Sequence, residues 1–194
     1  MCQFTDDRRF LILLGSARRD GNTEQLAHLA LEHVDADQRW IHLLDIPVPD
    51  YRDVRHTSER YSVPTEHEQT LLNATMWATD IVVASPLYMY SLSADAKRYL
   101  DFWSGWGYVP EVDFTKQMAA KTLWGVSVLS EDDRSVANPL VDTLRLSAEW
   151  QKMRFAGVLL GIGNRPGDVN GDDVALDQAK SFFALELATT GSIR

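Results

Sequence analysis

Short apolar runs alternate along this chain with longer stretches whose apolar residues recur every three or four positions. Phe10-Leu11-Ile12-Leu13-Leu14 is continuous, apolar and stopped by Gly15, the pattern of a strand buried on both faces. Residues 40–44, 81–84, 122–129 and 155–162 read as four further strands. Helical spacing predicts helices over 22–34, 65–79, 93–103, 136–153 and 172–188, with Ser93 and either Asp172 or Asp173 as caps. The proline- and charge-rich stretch 47–64 reads as a long loop, of the length that often serves as a lid.

Five short apolar strands alternating with five helices imply an α/β domain whose parallel sheet is covered on both faces. Right-handed crossovers restrict it to a few doubly wound orders. Ligands of such sheets bind beyond the carboxyl ends of the strands, where the strand order reverses. The chemistry is therefore expected in the loops after the first, third and fourth strands.

The length suits one domain spanning 1–194, with 1–8 expected as a mobile tail. The net charge of −9 disfavours nucleic acid and anionic membrane surfaces as partners, and it makes a local arginine cluster more informative. The single cysteine, Cys2, excludes an internal disulfide and any paired-cysteine metal or redox motif. The N-terminal residues lack the apolar stretch of a signal peptide, and no apolar run is long enough for a membrane helix, so a cytoplasmic protein is expected. His28, His33, His42, His56 and His67 show no ligand spacing, and no metal site is expected.

Gly15-Ser16-Ala17-Arg18-Arg19-Asp20-Gly21-Asn22-Thr23 follows the first strand and opens the first helix. Backbone N–H groups at a helix start point at an anion, and the helix dipole adds about half a positive charge. Ser16, Arg18 and Thr23 are candidate side-chain donors, and Gly21 is expected to take a positive φ. The glycine spacing fits neither the dinucleotide fingerprint nor the P-loop, which needs a lysine. An ordinary strand-to-helix turn, capped by Asn22 and carrying solvated arginines, is the alternative.

Ser85-Pro86-Leu87-Tyr88-Met89-Tyr90-Ser91-Leu92-Ser93 follows the third strand. It is apolar and aromatic where solvent is expected. Backbone amides around 89–91 are placed to meet a polar ring edge, while Leu87 and Tyr88 cover its face. The alternative is a turn tucked beneath a neighbour. Trp103, Trp106 and Tyr108 form a further aromatic group, either a subunit-interface wall or a core cluster, and Lys97 with Asp101 are spaced for a helix-surface ion pair.

Together GSARRDGNT and SPLYMYSLSADAKRYLD, about 70 residues apart, resemble the two signature loops of the NAD(P)H-dependent FMN reductase family, which includes quinone and azo-dye reductases. The stretch DIPVPDY before the long loop is similar to the family's segment after strand two. The resemblance implies a flavodoxin-like three-layer α/β/α sandwich with a five-stranded parallel sheet in the order 2-1-3-4-5. It implies FMN as cofactor, with Ser16, Arg18, Asn22 and Thr23 on the phosphate and Pro86, Leu87, Tyr88 and Met89 along the isoalloxazine, Ser91 closing the turn. Ser127 and Ser130 are expected near the ring, although 127–133 lacks the glycines usual in that family.

The activity implied is electron transfer from NAD(P)H through FMN to a small acceptor such as a quinone or free flavin, in a homodimer or homotetramer. The flavin carries the reaction, so no catalytic side chain is expected. The alternatives are a flavodoxin-like electron carrier and a binding module without cofactor.

Overall fold

The computed structural model describes residues 8–184 other than 60, 62, 63, 110 and 111. Its strands are β1 (Arg9–Leu14), β2 (Asp37–His42), β3 (Asp80–Ala84), β4 (Thr122–Leu129) and β5 (Arg154–Ile162), all parallel, in the order β2-β1-β3-β4-β5. The helices are α1 (Asn22–Leu31), α2 (Glu66–Trp77), α3 (Ala94–Trp106), α4 (Phe114–Met118), α5 (Asn138–Trp150) and α6 (Asp173–Phe182). This is the flavodoxin-like order expected.

Side-chain alternation along the central strands builds two cores. Leu11, Leu13, Ile81, Val83 and Leu123 pack beneath α2, α3 and α5 through Leu71, Tyr99 and Leu144. Phe10, Ile12, Val82, Trp124 and Val126 pack beneath α1 and α6 through Leu26, Ala30 and Ala179. Three layers result, with the strand ends facing one set of loops.

The second strand departs from expectation. It spans Asp37–His42 rather than 40–44, and Leu43–Asp45 form a 3₁₀ turn in which Leu44 donates its N–H to His42 Nδ1 at 3.4 Å. As an edge strand it buries only part of its surface, so its first residues are polar. Ser93 caps α3 and Asp172 caps α6, but α3 runs on to Trp106 and α5 begins at Asn138 after a 3₁₀ turn over Arg134–Ala137. The end of the last expected helix, 185–188, lies outside the described residues, and α4 was not anticipated.

Arg8 belongs to no tail: it bonds Asp80 at 2.7 Å and the Phe183 carbonyl at 2.8 Å. Trp103 and Trp106 are core residues against Tyr99, and Trp106 donates its indole N–H to buried Glu68 at 3.0 Å. Tyr108 is exposed and stacks on Tyr61 of the long loop. That loop is anchored to α3 by Tyr51 against Phe102, and the Tyr51–Tyr61 hydroxyl pair at 2.7 Å ties its two ends to each other. Lys97 and Asp101 form the expected ion pair.

Candidate active site

The loops after β1, β3, β4 and β5 enclose a cleft of about 250 Å³ at the carboxyl ends of the strands. Its lining includes Ser16, Arg18, Asn22, Thr23, Pro86, Leu87, Tyr88 and Ser130. A close approach joins the two signature loops: a Cβ on Gly15 would lie 2.9 Å from Ser93 Oγ and 3.0 Å from Ala96 Cβ. Only glycine lets the end of β1 pass so near the start of α3, which explains how motifs so distant in sequence share one cleft.

The start of α1 forms one end of the cleft. Its N-cap, Gly21, has no side-chain cap; the five-residue α4 and α5, which continues a 3₁₀ turn, also lack one, whereas α2, α3 and α6 are capped by Thr65, Ser93 and Asp172. The first N–H groups of a ten-residue helix are thus left for a ligand. Ser16 Oγ accepts the Arg18 N–H at 3.0 Å and shapes the turn. Gly21 has φ −76°, not the positive value expected; Asp20 takes the left-handed conformation at φ 53°, its N–H held by Glu24 at 2.8 Å. The Arg18 guanidinium is exposed and without a partner among the described residues, while Arg19 pairs with Asp45.

Asn22 does not cap α1. Its side chain reaches the loop after β5, donating to the Arg165 carbonyl at 2.8 Å and accepting the N–H of Gly167 at 2.8 Å and of Val169 at 3.4 Å. Gly163 makes room for it, since a Cβ there would lie 2.8 Å from Asn22 Nδ2. Gly163 and Asn164 line the cleft, and site reasoning from sequence passed over them. The available signal was a Gly-Asn turn directly after a strand, where ligands of this architecture bind.

The other wall is the loop after β3. Ser85 and Leu87 donate backbone N–H groups to the carbonyls of Val126 and Val128, prolonging the pairing of β3 with β4. Tyr88 and Ser91 then close a tight turn through two backbone bonds of 3.0 Å, with Met89 at φ 47° and Tyr90 at φ 64°. Both central residues are left-handed, as in a type I′ turn, where glycine and asparagine are the usual occupants. Met89 is 90% exposed, and the N–H groups of Met89 and Tyr90 have no partner among the described residues. Met89 and Ser91 are not among the residues lining the cleft.

Ser127 is fully buried in β4, its hydroxyl without a partner among the described residues, and it does not line the cleft. The strand continues to Leu129, so the cleft begins with Val128, Leu129 and Ser130. Below the cleft, Asp172 accepts the Ile162 N–H at 2.8 Å and Arg134 at 2.7 and 2.5 Å, tying together the segments after β4 and β5. Burial alone pushes the Asp172 carboxyl up; the N–H groups of Ile162 and Ala175, with Arg134, outweigh that and hold it below the usual range.

The arrangement suits a ligand with an anionic end at α1 and a flat end along 86–88. No helix among the described residues is long and apolar enough to cross a membrane.

The family model for NADPH-dependent FMN reductase matches residues 8–166. A Bacillus subtilis (strain 168) protein that carries the name NAD(P)H-dependent FMN-containing oxidoreductase YwqN is 28% identical over 176 residues, covering 90% of this chain and 96% of the relative. The solved Trp repressor binding protein from Bacillus subtilis is 25% identical with a TM-score of 0.73, over 93% of this chain and 99% of that one. The NAD(P)H:quinone oxidoreductase from Methanothermobacter marburgensis shares the fold at a TM-score of 0.64 and 14% identity, over 93% of this chain and 100% of that one. The chain belongs to the NADPH-dependent FMN reductase family and is an NAD(P)H-dependent oxidoreductase with FMN as its cofactor.

Proposed function

We propose that the cleft holds FMN and that the enzyme reduces a small flat acceptor, a quinone or free flavin, at the expense of NAD(P)H. The observation that carries this reading is the uncapped start of α1, opening on the cleft beside an Arg18 that has no partner among the described residues. The flavin phosphate rests on the N–H groups of Asn22 and Thr23 and on the side chains of Ser16, Arg18 and Thr23. Asn22 contributes through its backbone, because its amide is engaged elsewhere. Pro86, Leu87 and Tyr88 flank the ring, and the N–H groups of Met89 and Tyr90 meet its polar edge. Ser91 holds that turn closed, and Ser130 borders the ring from the opposite side.

Bound FMN supplies the capacity to accept hydride and pass electrons on. The chain's own part is to orient the ring, keep water from one face and leave the other open. Tyr88 and Tyr90, 43% and 52% exposed, offer stacking faces to an aromatic acceptor. We place the enzyme in the cytoplasm as a homodimer or homotetramer; Leu146 and Trp150, exposed one turn apart on α5, support an association surface.

Oxidation of NADH and NADPH by the FMN-loaded protein, with and without a quinone, tests the reading. Turnover above the free-flavin background is expected. Its absence, with FMN bound, refutes the acceptor assignment. Light scattering of the eluting protein tests the assembly, and a monomer at micromolar concentration overturns it.

A further inference from the structure

Four arginines lie on the loops bordering the cleft, and two are committed: Arg19 pairs with Asp45 and Arg134 with Asp172. Arg18 and Arg165 are exposed, and among the described residues their guanidinium groups have no partner. A flavin phosphate carries about −1.5 to −2 charges. The dipole of α1 contributes about +0.5 and Arg18 one full charge, so the first anion is nearly balanced without Arg165. In a chain of net charge −9, a second arginine, next to the cleft-lining Asn164 and unpaired among the described residues, is left for a second anion.

The loop that carries Arg165 is fixed. Asp168 accepts the N–H groups of Asn164 at 3.1 Å and Arg165 at 2.7 Å, which occupies its carboxylate with backbone. The Asn22 amide holds the Arg165 carbonyl and the Gly167 N–H, each at 2.8 Å. The backbone of Arg165 is therefore tied to the start of α1, while its side chain stays available.

Building on the reductase reading, we infer that Arg165 recognises the 2′-phosphate of NADPH and that Asn22 is the positioning residue that sets it at the cleft rim. This phosphomonoester is what separates NADPH from NADH, and an arginine fork matches it in geometry and charge. The Asn22 amide acts through the loop and not on the flavin phosphate.

The test compares wild type, Arg165→Ala, Arg165→Lys and Asn22→Ala. Titrations use adenosine 2′,5′-bisphosphate, adenosine 5′-monophosphate and FMN, and the ratio of kcat/KM for NADPH over NADH is measured in parallel. Arg165→Ala is expected to weaken the bisphosphate by about tenfold or more relative to the monophosphate, the size of one charge-assisted hydrogen bond, and to lower the kinetic ratio equally. Arg165→Lys retains part of the preference, and Asn22→Ala loses it as Arg165→Ala does. Equal effects on both adenosine nucleotides, or none, overturn the assignment. Loss of FMN affinity in Arg165→Ala with the bisphosphate unaffected also overturns it, by placing Arg165 on the flavin phosphate. Failure of the wild type to bind FMN defeats the reductase reading instead, and the adenosine titrations still decide the role of Arg165.

Discussion

In the proposed site Arg18 meets the phosphate of the flavin and not its ring. A charge-assisted hydrogen bond to an anion contributes about 1.5–3 kcal/mol, so Arg18→Ala should weaken FMN roughly 10- to 100-fold. Riboflavin, which lacks the phosphate, should bind both proteins alike, as read by quenching of flavin fluorescence. Equal losses for the two ligands place the phosphate elsewhere. That Ser16, Arg18 and Thr23 line one cleft was legible in the sequence because strand end, turn and first helical turn lie within nine consecutive positions. The engagement of Asn22 was not legible, since the Arg165 carbonyl it meets is 143 residues away. Ser127 was misplaced although the strand was read with its observed bounds, 122–129. It lies inside β4 opposite Leu160 and is fully buried, and the cleft begins only at Val128, where the loops after neighbouring strands come together.

Among the elements, the turn at Tyr88–Ser91 breaks a local rule. Left-handed backbone costs a residue with a side chain roughly 1 kcal/mol, and Met89 and Tyr90 both adopt it. Such strain is expected where a site requires particular side chains. Replacing the pair with Asn-Gly should raise stability to urea by about 1 kcal/mol or more while lowering turnover with a quinone. A less stable protein with undiminished turnover contradicts both halves of the argument. The sequence marked this loop as unusual through its aromatics, but its conformation depends on the closing bonds between Tyr88 and Ser91.

A second element-level device is Asp172, whose carboxyl joins β5, α6 and the segment after β4. Its folded pKa is lowered, so the unfolded chain binds the proton more strongly. The stability it contributes is therefore present above the unfolded value of about 3.9 and is lost as pH falls through the lower folded value. Urea unfolding across acid and neutral pH should show Asp172→Asn weaker than wild type near neutrality, with the difference shrinking below about pH 4. A constant difference across that range assigns the loss to geometry and not to charge.

At the scale of the molecule, period and punctuation carried most of the fold. In the three central strands, β1, β3 and β4, every residue but Arg9 is buried, and each reads as a mainly apolar run. The edge strand β2 did not, because only part of its surface meets the core. The same sheet explains why the cleft is a property of the whole. Its lining comes from loops after four strands, joined by the Gly15–α3 contact, the Asn22 amide and the Asp172 carboxyl. A ligand bound there braces segments from Ser16 to Asn164 against one another. Binding to the folded state alone, at a free concentration about 100 times Kd, stabilises by about 2.7 kcal/mol. For a domain of this size that corresponds to a rise in Tm of roughly 5–10 °C. FMN should produce that rise in a thermal melt. Riboflavin at the same concentration should produce much less, because in the proposed site the open start of α1 and Arg18 act on the phosphate. Equal rises with the two flavins would show that the ring loop alone holds the ligand, and that the α1 end of the cleft serves some other anion.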